Sequence, residues 1–362
     1  MEAGKARRPP TQGSGPLSMS LVPYLHRVTA RENLTSTDAR AAMLHILGGE
    51  ASTPLIAAFL VALRMKGETS EELLGFATAM REKSARVDAG ASDEPLLDTC
   101  GTGGDGASTF NISTVAAFVV AGAGVRVAKH GNRSLSSQCG SADILEALGV
   151  HITLDAEGSA RSIRQTGIGF LFAPMLHPAM KFAQPARLEL KMRTVFNLLG
   201  PLTNPAAASA QVIGAPSPEA AELMAGALAG LQPEHAFIVH GSDGLDEVTT
   251  TGPTLVFEVR GNTIERHTWT PRHFGVSTAA LEHLRGGNRE NNRDIAQAIL
   301  TGAPGPKRDI VLVNAAAALV AAGRAETLPE GVRQAADSID SGRAWAKVGA
   351  LAAFTTGLQY LT

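Results

Sequence analysis

Four glycines, Gly101, Gly103, Gly104 and Gly106, crowd residues 98–114, DTCGTGGDGASTFNIST, between an apolar run and a helical one. A glycine-rich bend that opens a helix lets bare amides approach an anion, and the helix adds free N–H groups and the positive end of its dipole. Several uses of such a bend compete. Gly101, Gly103 and Gly106 fit the G-x-G-x-x-G of dinucleotide folds, a short and weak pattern. The strand after it ends VRVAKHGNRS, with Lys129, His130 and Arg133 where that fold wants an acid for a ribose hydroxyl. The Walker phosphate loop fails because no Lys-Ser/Thr pair follows the glycines. A plain tight turn needs fewer glycines than these.

A phosphate cradle of another kind survives these tests. Gly101, Gly103 and Gly104 let amides face an anion, and Thr109, Asn111, Ser113 and Thr114 add donors. Lys129 supplies a compact charge from the next strand's tip, and Ser136, Ser137 and Ser141 extend the polar lining. Two such loops on one sheet edge suit a ligand with more than one phosphate. Farther on, HGSDGLDEVTTTGPT carries Asp246 and Glu247 side by side. Alone, such a pair reads as a solvated turn. Beside a polyphosphate it has another use, because magnesium takes one or two carboxylates together with phosphate oxygens and water. Asp105 and Ser113 are placed to support the same ions from the cradle side.

The elements that position these residues are legible in outline. Residues 1–18 read as a disordered lead-in with no apolar core of a secretory signal. Residues 19–90 are helical throughout, with TSTDARAAMLHILGG, TPLIAAFLVALRMKG and TSEELLGFATAMREKS each opening on a capping residue. Beyond them, in 91–177 and 206–362, short apolar runs alternate with helical stretches, the pattern of an α/β domain with a mostly parallel sheet. HITL is a further candidate strand, and TLVFEV precedes a helical C-terminal region from about 279. The stretch HPAMKFAQPARLELKMRTVFNLLG has long helical character, and a segment of about 178–205 is expected to return to the N-terminal helices.

The totals narrow the function classes. With 32 basic against 34 acidic side chains, no net field selects nucleic acid or an anionic membrane as partner. Two distant cysteines, Cys100 and Cys139, form no disulfide framework and fit a reducing, cytoplasmic setting. The longest apolar stretch, VAAFVVAGAGV, is too short to span a bilayer.

Taken as a set, GTGGDGASTFNIST, KHGNRSLSSQCGSADILEALGV, HPAMKFAQPARLELKMRTVFNLLGPLTNP and GLDEVTTTGPT resemble the anthranilate phosphoribosyltransferases of tryptophan biosynthesis, in the same order from about residue 20 to the end. The resemblance implies transfer of a phosphoribosyl group from phosphoribosyl pyrophosphate to anthranilate. It also implies a small helical domain, a larger α/β domain, a cleft between them, and a homodimer formed through the helical part. Gly101 would lie near both substrates. Gly104, Asp105, Thr109 and the run Asn111, Ile112, Ser113, Thr114 would line the phosphoribosyl pyrophosphate site. So would Lys129, His130, Gly131, Asn132, Arg133 and Ser134, then Leu135, Ser136, Ser137 and Ser141. Ser113, Asp246 and Glu247 would hold two magnesium ions per subunit. Asn132 and Arg187 would contact anthranilate, and His130 is a candidate acceptor for the amine's proton. Leu188 and Lys191 stand where the family more often has a polar residue and a glycine, and Arg272 and His273 where it often has acids. The competing readings are a related transferase or phosphorylase with another acceptor, and a non-catalytic homologue that binds nucleic acid.

Overall fold

The computed structural model describes residues 20–92, 94–134 and 139–359. The lead-in 1–18 and the site candidates Leu135, Ser136 and Ser137 lie outside the described residues.

Four helices come first: α1 (Val22–Thr29), α2 (Ser36–Leu47), α3 (Thr53–Lys66) and α4 (Ser70–Lys83). Local chemistry starts them. Thr35 caps α2 by accepting from the Asp38 N–H, and Thr69 forms a reciprocal capping box with Glu72. Glu72 is fully buried and ties three segments together. It accepts from the Leu34 N–H at 2.9 Å and pairs with Lys66 Nζ at 2.9 Å. Helix α4 presses on α2 at Gly75, where a Cβ would lie 2.8 Å from the Cβ of Ala39.

The remaining chain builds a seven-stranded sheet. Its strands are β1 (Leu96–Thr99), β2 (Arg126–Gly131), β3 (Ile168–Phe172), β4 (Ala210–Gly214), β5 (His235–Gly241), β6 (Thr254–Arg260) and β7 (Thr263–Trp269). The order is β3-β2-β1-β4-β5-β6-β7, parallel through β5, with β6 and β7 antiparallel. Helices cover one face: the crossover helix Ile112–Gly122, almost wholly buried, packs with the C-terminal helices Pro306–Ala321, Leu328–Asp340 and Arg343–Gln359. The other face under β4–β6 joins the helical core, because Ile213, Ile238 and Val259 pack in one cluster with Phe59, Phe76 and Met224. Helix Pro218–Gly230 lies between, and Ser70 Oγ donates to the Leu223 carbonyl across the junction. The chain is thus a small helical unit set against a larger α/β unit with a mostly parallel sheet.

Three expectations change. HITL is not a strand: residues 151–154 are unpaired, with the His151 N–H on Thr355 Oγ1 and Ile152 buried in the core. TIERHTW is a strand, β7, that sequence reading passed over. It is an exposed edge, and its charges suit an edge that must not pair further. The stretch 178–205 is no long helix. It divides into a 3-10 turn at Pro178–Phe182, a helix at Gln184–Leu190, a short helix at Phe196–Leu199 and a 3-10 turn at Gly200–Leu202. Pro178, Pro185 and Pro201 each stand in the first turn of a piece, where the missing N–H does no harm. Ala183, Ala186, Val195 and Leu199 from these pieces are buried in the helical core. Among the described residues no helix is long and apolar enough to cross a membrane.

Candidate active site

The parallel strands deliver their carboxyl ends to one edge, and β1 is the point where the order turns, with β2 on one side and β4 on the other. Open α/β sheets bind ligands at such a point. The glycine loop leaves β1 there. Gly103, Gly104 and Gly106 take left-handed backbone, φ 65°, 74° and 76°. The Thr102 N–H donates to the Gly214 carbonyl at the tip of β4.

The acidic pair comes to the same place. The Gly103 N–H donates to Asp246 Oδ2 at 2.7 Å, and the Ser113 N–H, in the first turn of Ile112–Gly122, donates to Glu247 Oε1 at 3.1 Å. This close approach explains Gly101, where a Cβ would stand 2.5 Å from Asp246 Oδ2, and Gly214, where it would overlap the Asp246 backbone. Both carboxyls are held above the ordinary carboxylate range. Burial is the main cause for each; Asp105 adds repulsion at Asp246, and Asp246 adds it at Glu247. Crowded, desolvated carboxylate oxygens are a hard donor set of the kind a divalent cation such as magnesium satisfies.

Lys129 reaches this edge from β2. Its Nζ donates to the Thr99 carbonyl at 2.5 Å and to Ser113 Oγ at 3.4 Å. Asn111 gives its side-chain N–H to the Cys139 carbonyl, joining the glycine loop to the serine loop. Thr109 bridges to Arg285, while Ile112 and Thr114 are buried. Gly131 ends β2, and Ser141 Oγ closes the next turn, accepting from the Asn132 N–H and donating to the Asn132 carbonyl. Cys139 is a buried filler whose thiol burial pushes up to about 11.

Other candidates stand elsewhere or do something different. Arg133, exposed, turns its guanidinium to Asp143 and Glu146 at 2.8 Å each. Asn132 is exposed, and Ser134 half-buried. Arg187, on Gln184–Leu190, lies over the Phe196 ring at 5.2 Å. Lys191 ends that helix in left-handed backbone, φ 48°, a position that suits the glycine more usual there and costs other residues about 1–2 kcal/mol. Leu188 is 57% exposed, and Arg272 and His273 sit on the 3-10 turn Pro271–Phe274.

His130 is buried. Its Nδ1–H donates to the Gly200 carbonyl at 3.0 Å, and its ring lies 5.1 Å from that of His177. Burial pushes His130 down to about 3 and His177 to about 4. Unfolded, both titrate near 6.5. Below that value the unfolded chain binds more protons. Stability is therefore full above about pH 6.5, and falls toward pH 4 by about 1.4 kcal/mol per pH unit for each ring. Asp98, raised to about 6 by burial, acts in the opposite sense in any variant that keeps it. His177→Phe should flatten the stability profile by one ring's share, read from urea midpoints between about pH 6.5 and 4. Equal slopes would mean that His177 is already charged in the fold.

Sequence reasoning missed several residues that hold the site. Asp98 is fully buried, accepting from the His130 N–H at 3.1 Å and from Asn204 Nδ2 at 2.7 Å, and so fixes β1, β2 and the 204 turn. Arg193 donates from Nη1 to the Gly104 carbonyl at 2.9 Å and from Nη2 to the Gly103 carbonyl at 3.2 Å. Neither has a local spacing signal. Two further groups of metal-competent side chains are accounted for without an ion. In Asp98–Cys100–His130, burial disfavours the Cys100 thiolate and Asp98 is satisfied as above. In Glu258–Glu265–His267, Glu258 is held by Arg260 and His235 at 2.9 Å each.

Comparison with known proteins agrees with this architecture. Residues 22–84 match the glycosyl transferase family helical bundle domain, and residues 93–345 match the glycosyl transferase family a/b domain. Anthranilate phosphoribosyltransferase of Solibacter usitatus is 63% identical over 336 residues, covering 93% of this chain and 99% of that protein. The crystal structure of the Thermus thermophilus enzyme superposes with TM-score 0.86 at 43% identity, covering 92% of this chain and 99% of the other. The Saccharomyces cerevisiae enzyme in complex with PRPP and Mg superposes with TM-score 0.86 at 29% identity, covering 94% and 99%. With both modules matched and such similarity along nearly its whole length, the chain belongs to the anthranilate phosphoribosyltransferase family.

Proposed function

We propose that this enzyme transfers the phosphoribosyl group of phosphoribosyl pyrophosphate to the amine of anthranilate, releasing pyrophosphate in tryptophan biosynthesis. The observation that carries this reading is that the glycine loop and the acidic pair are one site: backbone amides of Gly103 and Ser113 rest on the Asp246 and Glu247 carboxylates. On this reading Asp246, Glu247 and Ser113 hold two magnesium ions, and Asp105 stands beside them. Magnesium, when bound, neutralises charge on the departing pyrophosphate.

The chain's own groups do the rest. Amides of the glycine loop and of the Ile112–Gly122 start, with Lys129 and the run from His130 to Ser141, hold the phosphates. Pyrophosphate leaves from an anomeric carbon, so the ribose ring becomes positive and the carboxylate-rich edge favours that charge. Anthranilate's amine is neutral and needs placement more than deprotonation. Arg187 offers its carboxylate a two-pronged cation, with Gly101 and Asn132 alongside. His130, neutral with its proton on Nδ1, has a free Nε2 lone pair, but that atom is enclosed. It suits packing better than proton removal. We read residues 19–90 with 178–205 as the helical domain and the remainder as the transfer domain, with the substrate cleft between them and a homodimer through the helical part in the cytoplasm.

Anthranilate fluorescence should fall when phosphoribosyl pyrophosphate and magnesium are added to the protein, and EDTA should stop the loss. Steady fluorescence with all components present would refute the assignment.

A further inference from the structure

The glycine loop is gripped by a residue that the reading above leaves unused. Arg193 spreads its two Nη atoms over successive carbonyls, those of Gly104 and Gly103. In a planar trans peptide the C=O and the following N–H point in opposite directions. Turning these two carbonyls toward Arg193 therefore turns the Gly104 and Asp105 amides away from it. Successive N–H groups fixed this way form an anion-binding nest. The preceding amide, of Gly103, is held by Asp246. One acid and one base thus fix a run of backbone that glycine would otherwise leave free.

Arg193 belongs to the acceptor side of the molecule. It follows Arg187 by six positions, and Phe196, three positions on, carries the Arg187 guanidinium on its ring. Val195 and Phe196 are anchored in the helical core. Among the described residues Arg193 forms no ion pair with a carboxylate, and its partners are the loop carbonyls. The planar fork matters here, because a lysine ammonium cannot span both oxygens in the same way.

We infer that Arg193 is a positioning residue that sets the loop's amides for the pyrophosphate and couples donor binding to acceptor binding. This rests on the function proposed above. Ordering of the segment 187–196 by one ligand is passed to the loop that grips the other, and such coupling is reciprocal.

The test uses the full chain, inorganic pyrophosphate with magnesium as the unreactive donor half, and anthranilate followed by its fluorescence. In the parent, magnesium pyrophosphate should tighten anthranilate binding. Arg193→Met, which keeps the stem and removes the fork, should weaken magnesium pyrophosphate about tenfold. It should leave anthranilate alone unchanged and abolish the tightening. Arg193→Lys should recover part of the donor affinity. If Arg193→Met fails to fold, Arg193→Lys carries the test, with kcat/KM for phosphoribosyl pyrophosphate lowered and the KM for anthranilate kept. A variant that matches the parent in donor affinity and tightening overturns the clamp alone. A parent that binds neither ligand overturns the functional reading and the clamp with it.

Discussion

Glu247→Gln is expected to lower turnover by about 100-fold or more, and to raise the melting temperature of the metal-free protein. The two effects have one cause. The Glu247 carboxyl sits at the start of Ile112–Gly122, accepting from the Ser113 N–H, with Asp246 beside it and Lys129 as the nearest relief. Burial and Asp246 hold its titration above the ordinary value, so the folded chain resists its ionisation. A carboxyl raised in the fold costs nothing while protonated in both states. Its penalty grows as pH climbs past the unfolded value of about 4.3. Glutamine keeps the size and the hydrogen bond acceptor, and removes the penalty. On the function proposed above it also removes an anionic ligand for magnesium. The checks are kcat across a magnesium titration, and thermal melts in EDTA and in magnesium. The parent should gain stability from magnesium and the variant little. A variant that keeps parental turnover at limiting magnesium would remove Glu247 from the metal site.

Arg187→Ala is expected to raise the KM for anthranilate by about 100-fold and leave that for phosphoribosyl pyrophosphate almost unchanged. Burial holds the Arg187 guanidinium below its ordinary titration range, which marks a desolvated cation. Among the described residues no carboxylate pairs with it; the face of Phe196 is its support. A half-buried fork backed by an aromatic ring is preorganised for a planar carboxylate, and losing such a pair costs about 2–5 kcal/mol in binding. Initial rates with each substrate varied in turn decide the matter. Parallel rises in both KM values would place Arg187 outside the acceptor pocket.

Much of this architecture can be read from local pattern. Thr35 and Thr69 announce their helices, and the run from Leu96 to Gly122 reads as strand, loop and helix because each step depends on near neighbours. The glycines by themselves signal an anion site. What stays hidden acts across distance. Asp98 meets Asn204, and Arg193 meets Gly104, through pairings 106 and 89 positions apart that no spacing rule encodes. Gly214 reads as an ordinary strand end, yet the Asp246 backbone lies against it. The charged edge strand β7 lacks the apolar alternation that betrays half-buried strands, and Ile152 is apolar because it plugs a core rather than because it joins a ladder.

The sheet order also bears on how the molecule is made. Strand β1 has β2 beside it early, yet its other neighbour, β4, is not synthesised until residues 210–214. The carboxylate that fastens Gly103 comes 143 positions after it. A chain emerging from the ribosome in order thus makes its glycine loop well before the carboxylate that fastens the Gly103 amide. A product halted before β5 ends also lacks both acids, so its glycine loop has neither carboxylate to rest on.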